Sequence, residues 1–432
     1  MYNQIIKKND TNQVINNLEK YYNKVEYIKE LKKEKIKIKD EIIIVEGRNY
    51  DKEYIVYNYL EYWNDLRYVS IYSDQSSLNY SEIKSIISEY GEILVERYLK
   101  LKKDELQGIL YWENKRLNPA PTSKNLIVYF YNKKQDKLTD DLLFMKERLN
   151  QSTNKLIISI GENTRESLSY AALLLNPSNF DYFNNMNFDR FMKLGNSGKV
   201  MCGKIRDFLQ RNVSNPLDMK RFLIFSSMIL YLYGLRKPND VDILGYDLPY
   251  PTGKTKNLYQ NFASSSKRIA NIGELQVRGY GDWQIGKSKE YLNNWFGYEW
   301  ANLFGARNME DMIFNPRYYL SLMGLKIITI KGDMERRKIR YRATSYADMI
   351  GYNFYLKDKI LIEEPPYKYI VQGEERSYET KEEILLLLKK IKNYLKMRYN
   401  IRMNTQKLVT MLKIHINRWN PRRSRLIKDR LI

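Results

Sequence analysis

The chain of 432 residues carries one cysteine and one histidine. A single thiol, Cys202, closes no disulfide within the chain and builds no cysteine zinc site, so a reducing, cytoplasmic setting is expected. His415 alone cannot form a histidine metal cluster, and catalysis through a histidine-centred triad is not expected. Long apolar runs are missing too. The longest, residues 222–235, is interrupted by two serines and falls short of the ~20 residues needed to span a bilayer. The N-terminal stretch from Met1 to Lys8 turns polar before an apolar core develops, so neither an export signal nor a membrane anchor is expected. Glycine is scarce where a phosphate loop would need it. Pro251-Thr-Gly-Lys-Thr255 has Leu248 at the position of the first glycine, and Gly195-Asn-Ser-Gly-Lys199 has the wrong spacing, so no P-loop NTPase is expected.

Positive charge is abundant. Lys and Arg number 73 against 51 acids, a net charge of +22 with a pI near 9.5, and a polyanion is the expected partner. Coding bias towards AT accounts for many lysines, asparagines, isoleucines and tyrosines, but it does not add arginine. Residues 391–432 hold five Lys, seven Arg and one acid, and Arg422, Arg423 and Arg425 are expected to contact nucleic acid. The 38 tyrosines offer stacking surfaces, although amphipathic core filling is the ordinary use of such residues.

Patterning divides the chain into four parts. Residues 1–40 read as a polar helical lead. In residues 41–215, short apolar runs at 42–45, 68–72, 93–95, 126–130 and 156–160 alternate with helix-period segments at 53–63, 80–90, 139–149 and 165–175. This alternation predicts an α/β, Rossmann-like domain with a largely parallel sheet. Residues 216–365 form the third part; 315–326 reads as helix-rich, and the basic run 335–342 places Arg337, Arg340 and Arg342 on a polyanion channel, the bland alternative being a solvated charged face. After the Pro365-Pro366 turn, 366–432 reads as a basic helical segment, with Ile384, Leu385, Leu388, Ile391 and Leu395 on its core face.

The most informative stretch is Tyr231-Leu-Tyr-Gly-Leu-Arg-Lys-Pro-Asn-Asp-Val-Asp-Ile-Leu-Gly-Tyr246. On a strand, Asp240 and Asp242 project from one face while Val241 and Ile243 enter a core. Two adjacent carboxylates repel unless something positive lies between them, and an oxygen-rich pair suits Mg²⁺ or Mn²⁺. Aspartate after a turn-forming Pro238-Asn239 also caps turns in many chains.

Gly234-Leu-Arg236 followed by Asp240-Val-Asp242 resembles the signature of the nucleotidyltransferase superfamily that includes DNA polymerase β and the poly(A) polymerases. The resemblance implies an α+β domain over 216–365 that adds nucleotides to RNA 3′ ends without a template, with ATP as the substrate. It implies two divalent ions on Asp240 and Asp242, and a third carboxylate on a later strand, assigned to Asp282 with Glu274 and Asp348 as substitutes. Gly234 would allow the close turn, and Arg236 and Lys254 would meet phosphates. Residues 40–215 resemble, more loosely, a degenerate class I cap 2′-O-methyltransferase that lacks its glycine-rich cofactor loop. Two other classes remain open at this point: a non-catalytic nucleic-acid-binding subunit of a viral or cytoplasmic-plasmid transcription or replication apparatus, with protein partners there, and a nucleotidyltransferase for a small or protein acceptor.

Overall fold

Among the described residues from 66 to 174 strands and helices alternate as the pattern predicts, the helix expected at 53–63 lying outside them but for residue 60, and the strands do not run in the predicted directions. The computed structural model describes residues 37–39, 42–46, 60, 66–73, 79–112, 122–132, 138–152, 157–161, 163–212, 216–225, 227–248, 267–272, 275–283, 309–339, 342–355, 368–371, 374–377 and 381–412. The described residues form helices and mixed sheets, and the chain divides into two compact units: residues 1–184 with 314–326, and residues 185–313 with 327–432.

In the first unit β1 (Lys37–Lys39), β2 (Ile42–Glu46), β3 (Leu66–Ser73), β4 (Gly91–Lys102), β5 (Thr122–Asn132) and β6 (Ile157–Ile160) form one sheet in the order β1-β2-β4-β5-β3-β6. Only β2 and β4 pair in parallel; the other four pairings are antiparallel. The expectation of a largely parallel sheet is therefore corrected. Alternation in sequence shows that helices separate strands, but it does not show whether each helix completes a crossover. The helix Lys103–Trp112 separates β4 from β5, yet those strands are antiparallel neighbours. The helix Tyr80–Tyr90 starts where the pattern puts it, because the Asn79 side chain accepts a hydrogen bond from the Glu82 amide at 3.2 Å while its own amide donates to the Glu82 carboxylate at 3.1 Å. Its Ile83, Ile86 and Ile87 enter a core with Val69, Ile71, Val128 and Phe130.

The second unit is organised around β7 (Phe222–Phe225), β8 (Asp240–Leu248), β9 (Lys267–Ile272) and β10 (Leu275–Trp283). β8 lies antiparallel to β7 and parallel to β10, and β9 is antiparallel to β10. Residues 315–326, expected to be helix-rich, instead contain the strand β11 (Tyr319–Leu322), the turn Met323-Gly324 and the start of β12 (Leu325–Ile328). Both turn residues have positive φ, 54° and 75°, as a tight two-residue hairpin requires; a helix cannot pass through such a pair. β12 then runs parallel to β7, with Ile327 beside Ile224. Within the first unit, Asn176 donates to the Tyr319 carbonyl at 2.9 Å and Ser178 to the Pro316 carbonyl at 2.7 Å, which ties that segment down by backbone bonding. Among the described residues, no helix is long and apolar enough to cross a membrane.

Candidate functional site

Gly234 sits where a short helix must stop. Met228–Leu232 ends with Gly234 at φ +66°, its amide donating to the Tyr231 carbonyl and the Leu235 amide to the Leu230 carbonyl, each at 2.9 Å. This is a left-handed helix cap, the conformation glycine takes at least cost. A Cβ at this position would lie 2.6 Å from the Arg190 carbonyl oxygen. The glycine is thus needed twice, for its φ and for the close approach of another backbone. Six residues on, β8 begins at Asp240.

On β8 the expected alternation is present. Val241 and Ile243 are fully buried, while Asp240 is half-buried and Asp242 is 8 % exposed. Phe225 on β7 and Arg278 on β10 are the register partners of Asp242, and Gln276 is that of Asp240. Register partners rise from one face of a sheet, so this face carries two carboxylates, one amide, one ring and one guanidinium. Arg278 Nε lies 3.5 Å from Oδ2 of Asp240. The positive charge expected between the carboxylates is, at Asp240, an arginine of the neighbouring strand.

Asp282 is not brought to the pair. It lies four residues beyond Arg278 on β10, beside an irregularity in the β8 pairing, and so is displaced about 13 Å along the strand from the level of Asp242. Among the described residues, no group of three or more His, Cys, Asp or Glu is arranged to hold a metal ion. The pair itself still suits one. Mg²⁺ is commonly held by one or two carboxylates, with substrate phosphates and water completing its shell, and two all-oxygen side chains on one face meet that requirement.

Two arginines expected at phosphate or nucleic acid turn inward. Arg236 is 6 % exposed; its Nε and Nη2 donate to the two carboxylate oxygens of Asp348 at 2.7 and 2.8 Å, and Nη2 also donates to Ser227 Oγ at 2.6 Å. Arg337, 5 % exposed on the helix Ile330–Ile339, donates through Nε to Asp333 at 2.6 Å and through Nη1 to Asp348. Arg336 donates to the other oxygen of Asp333 at 2.7 Å, and its guanidinium lies 5.6 Å from the Phe225 ring centroid. Tyr399 completes the hub by donating to Asp348 at 2.5 Å. Its ring can lie against the helix Ala343–Tyr355 because position 351 is glycine; a Cβ there would be 2.5 Å from the ring. Burial alone would raise the Asp348 carboxyl, but the guanidinium groups of Arg337 and Arg236 and the Tyr399 hydroxyl outweigh it and hold it down at about 2. Burial, followed by the Asp348 charge, keeps the Tyr399 hydroxyl protonated far above its ordinary range.

Arg342 is half-buried just ahead of that same helix, its carbonyl accepting from the Tyr346 amide at 3.0 Å. Lys254, Glu274, Arg340, Arg422, Arg423 and Arg425 lie outside the described residues. Sequence reasoning missed Arg278, Asp333 and Tyr399. The alternation Leu275-Gln276-Val277-Arg278 was a usable signal for the first, because buried Leu275 and Val277 put Gln276 and Arg278 on the opposite face. For Asp333 the signal was its i,i+3 and i,i+4 spacing to Arg336 and Arg337 on one helix; nothing local in sequence announces Tyr399, which meets Asp348 only through the packing of two helices.

No family model, no curated protein and no solved structure matches the chain.

Proposed function

We propose that the second unit is a divalent-metal-dependent nucleotidyltransferase that extends RNA 3′ ends without a template, with ATP as its nucleotide. The observation that carries this reading is the pair Asp240 and Asp242, on one face at the start of an inner strand, with aliphatic side chains buried on the other face. Asp240 and Asp242 would hold Mg²⁺ or Mn²⁺ together with the triphosphate; when bound, the metal offsets phosphate charge and acidifies the attacking hydroxyl. In the reaction the 3′ oxygen bonds to the α-phosphorus, the bond to the β-phosphate oxygen breaks, pyrophosphate leaves and the hydroxyl proton passes to solvent. With Asp282 remote, the carboxylate ligands are two rather than three. Arg236 and Arg337 serve by holding the turn and helices in place, not by touching phosphate.

Support for a polyanionic acceptor comes from the helices Lys381–Tyr399 and Thr405–Met411. Between residues 384 and 412 there are seven Lys or Arg and no acid, and Lys389, Lys390, Lys396, Arg402 and Lys407 are exposed. At the overall frequency of 51 acids in 432 residues, a stretch of this length would carry three or four. Such a surface binds phosphate backbone with little regard to sequence, and less tightly as salt rises.

The Arg278 contact favours a second reading, in which the same fold binds nucleic acid without catalysis and a guanidinium permanently takes the place of the metal. One experiment separates the two. The full chain is incubated with a labelled RNA primer, each nucleoside triphosphate in turn, and Mg²⁺ or Mn²⁺. Extended primer, greatest with ATP, supports transfer. Salt-sensitive primer binding with no extension under any nucleotide or metal supports the second reading.

A further inference from the structure

The arginines near the aspartate pair differ in their freedom to move. Arg336, over Phe225, is buried and held by Asp333. Arg278 is 40 % exposed, its partner Asp240 is 28 % exposed, and their 3.5 Å separation is well outside the 2.7–2.9 Å typical of a tight charge-assisted bond. This contact is loose and open to solvent, and screening leaves little energy in such pairs. For Asp240 to hold a divalent cation, Arg278 must move away or remain as a repelling charge a few ångströms from the ion.

A triphosphate changes that balance. It supplies planar sets of oxygen acceptors that suit the guanidinium fork better than one carboxylate oxygen at 3.5 Å does. From its strand, Arg278 shares a face with both aspartates, so phosphates bound through a metal at the pair would lie within reach of the same side chain.

We propose that Arg278 is a nucleotide-positioning residue that occupies Asp240 until a metal–triphosphate complex arrives, then transfers to the phosphates. The inference rests on the reading of Asp240 and Asp242 as the metal and nucleotide site. It makes cation and nucleotide binding mutually reinforcing: the nucleotide draws Arg278 off Asp240, and the vacated carboxylate then holds the ion. By linkage, the nucleotide must raise cation affinity by the factor by which the cation raises nucleotide affinity.

The test uses the full chain and Mn²⁺, with free Mn²⁺ followed by electron paramagnetic resonance, with and without α,β-methylene ATP, a non-reacting analogue. Wild type, Arg278→Gln, Arg278→Lys and Asp242→Asn are compared. Wild type should bind Mn²⁺ alone weakly and roughly tenfold more tightly with the analogue. Arg278→Gln should bind Mn²⁺ alone severalfold more tightly than wild type and lose most of the enhancement, while Arg278→Lys keeps part of it. Equal Mn²⁺ affinity and equal enhancement in wild type and Arg278→Gln would overturn the role of Arg278 while leaving the metal site standing. Mn²⁺ binding that Asp242→Asn does not change would remove the site itself, and the inference with it.

Discussion

Asp348 and Asp240 are both aspartates held by arginine, yet one is sealed inside the second unit and the other lies half open at a strand end. Asp348 is fully buried and receives two bonds from Arg236, one from Arg337 and one from Tyr399. Asp240 has Arg278 at 3.5 Å and solvent beside both. The first arrangement holds the turn before β8 and the ends of two helices in one geometry, because each partner would be costly to leave alone. The second can exchange its cation. The same residue types therefore serve frame and site, and what separates them is the number of bonds per carboxylate and access to water.

Breaking the hub should have the largest effect. Asp348→Asn leaves Arg236 and Arg337 buried with their shared counter-charge removed, and should cost about 3–5 kcal/mol in urea unfolding; a cost under about 1 kcal/mol would show that water or rearrangement replaces the carboxylate. The same hub predicts an acid response. The folded Asp348 carboxyl is held at about 2, below its ordinary value, so its contribution is complete above the ordinary carboxylate range and fades as pH falls from there through about 2. Melting curves of wild type should drop more steeply in that window than those of Asp348→Asn.

Gly234→Ala tests how the turn feeds the open cluster. It forces an L-residue to φ +66° with its Cβ 2.6 Å from the Arg190 carbonyl, and should cost ~2 kcal/mol or more. If the substitution is tolerated, the backbone must shift at the turn, and Mn²⁺ binding at the pair should weaken in the same protein. Arg278→Gln marks the small end of the series. Removal of a loose, exposed pair should cost under about 1 kcal/mol in the same urea assay; a loss comparable to that of Asp348→Asn would make Arg278 part of the frame.

Much of the local structure was legible. Asp240-Val-Asp-Ile243 alternates as a half-buried strand should, and β8 is that strand. The helix predicted at 80–90 is Tyr80–Tyr90, and Leu388, Ile391 and Leu395 of the last long helix are buried as their spacing requires, whereas Leu385, expected on the same face, is exposed and the side chain of Ile384 lies outside the described residues. Strand direction was not legible. It depends on how a connection returns to the sheet, and the segment joining β4 to β5 returns antiparallel where a helix between strands suggests a crossover. The Met323-Gly324 turn shows in sequence only as a glycine between apolar runs, and the flanking Tyr, Leu and Met residues suit helix or strand. The place of Asp240 and Asp242 on one strand face was legible from alternation alone. The fate of Arg236 was not, because a basic residue whose buried acid lies 112 positions away looks the same in sequence as one facing solvent; Arg337 has its acids four and eleven positions away, but spacing alone does not show that the cluster is buried.

The most direct test compares transfer and stability in the same preparations of wild type, Asp240→Asn and Asp242→Asn, using labelled RNA primer, ATP and Mg²⁺ or Mn²⁺, with a thermal melt of each sample. Asparagine keeps the volume of each side chain and removes its charge from the strand face. The account predicts that wild type extends the primer, that both variants lose extension, and that both melt close to wild type. Full extension by both variants would contradict it, as would loss of folding in both, which would place Asp240 and Asp242 with Asp348 in the frame.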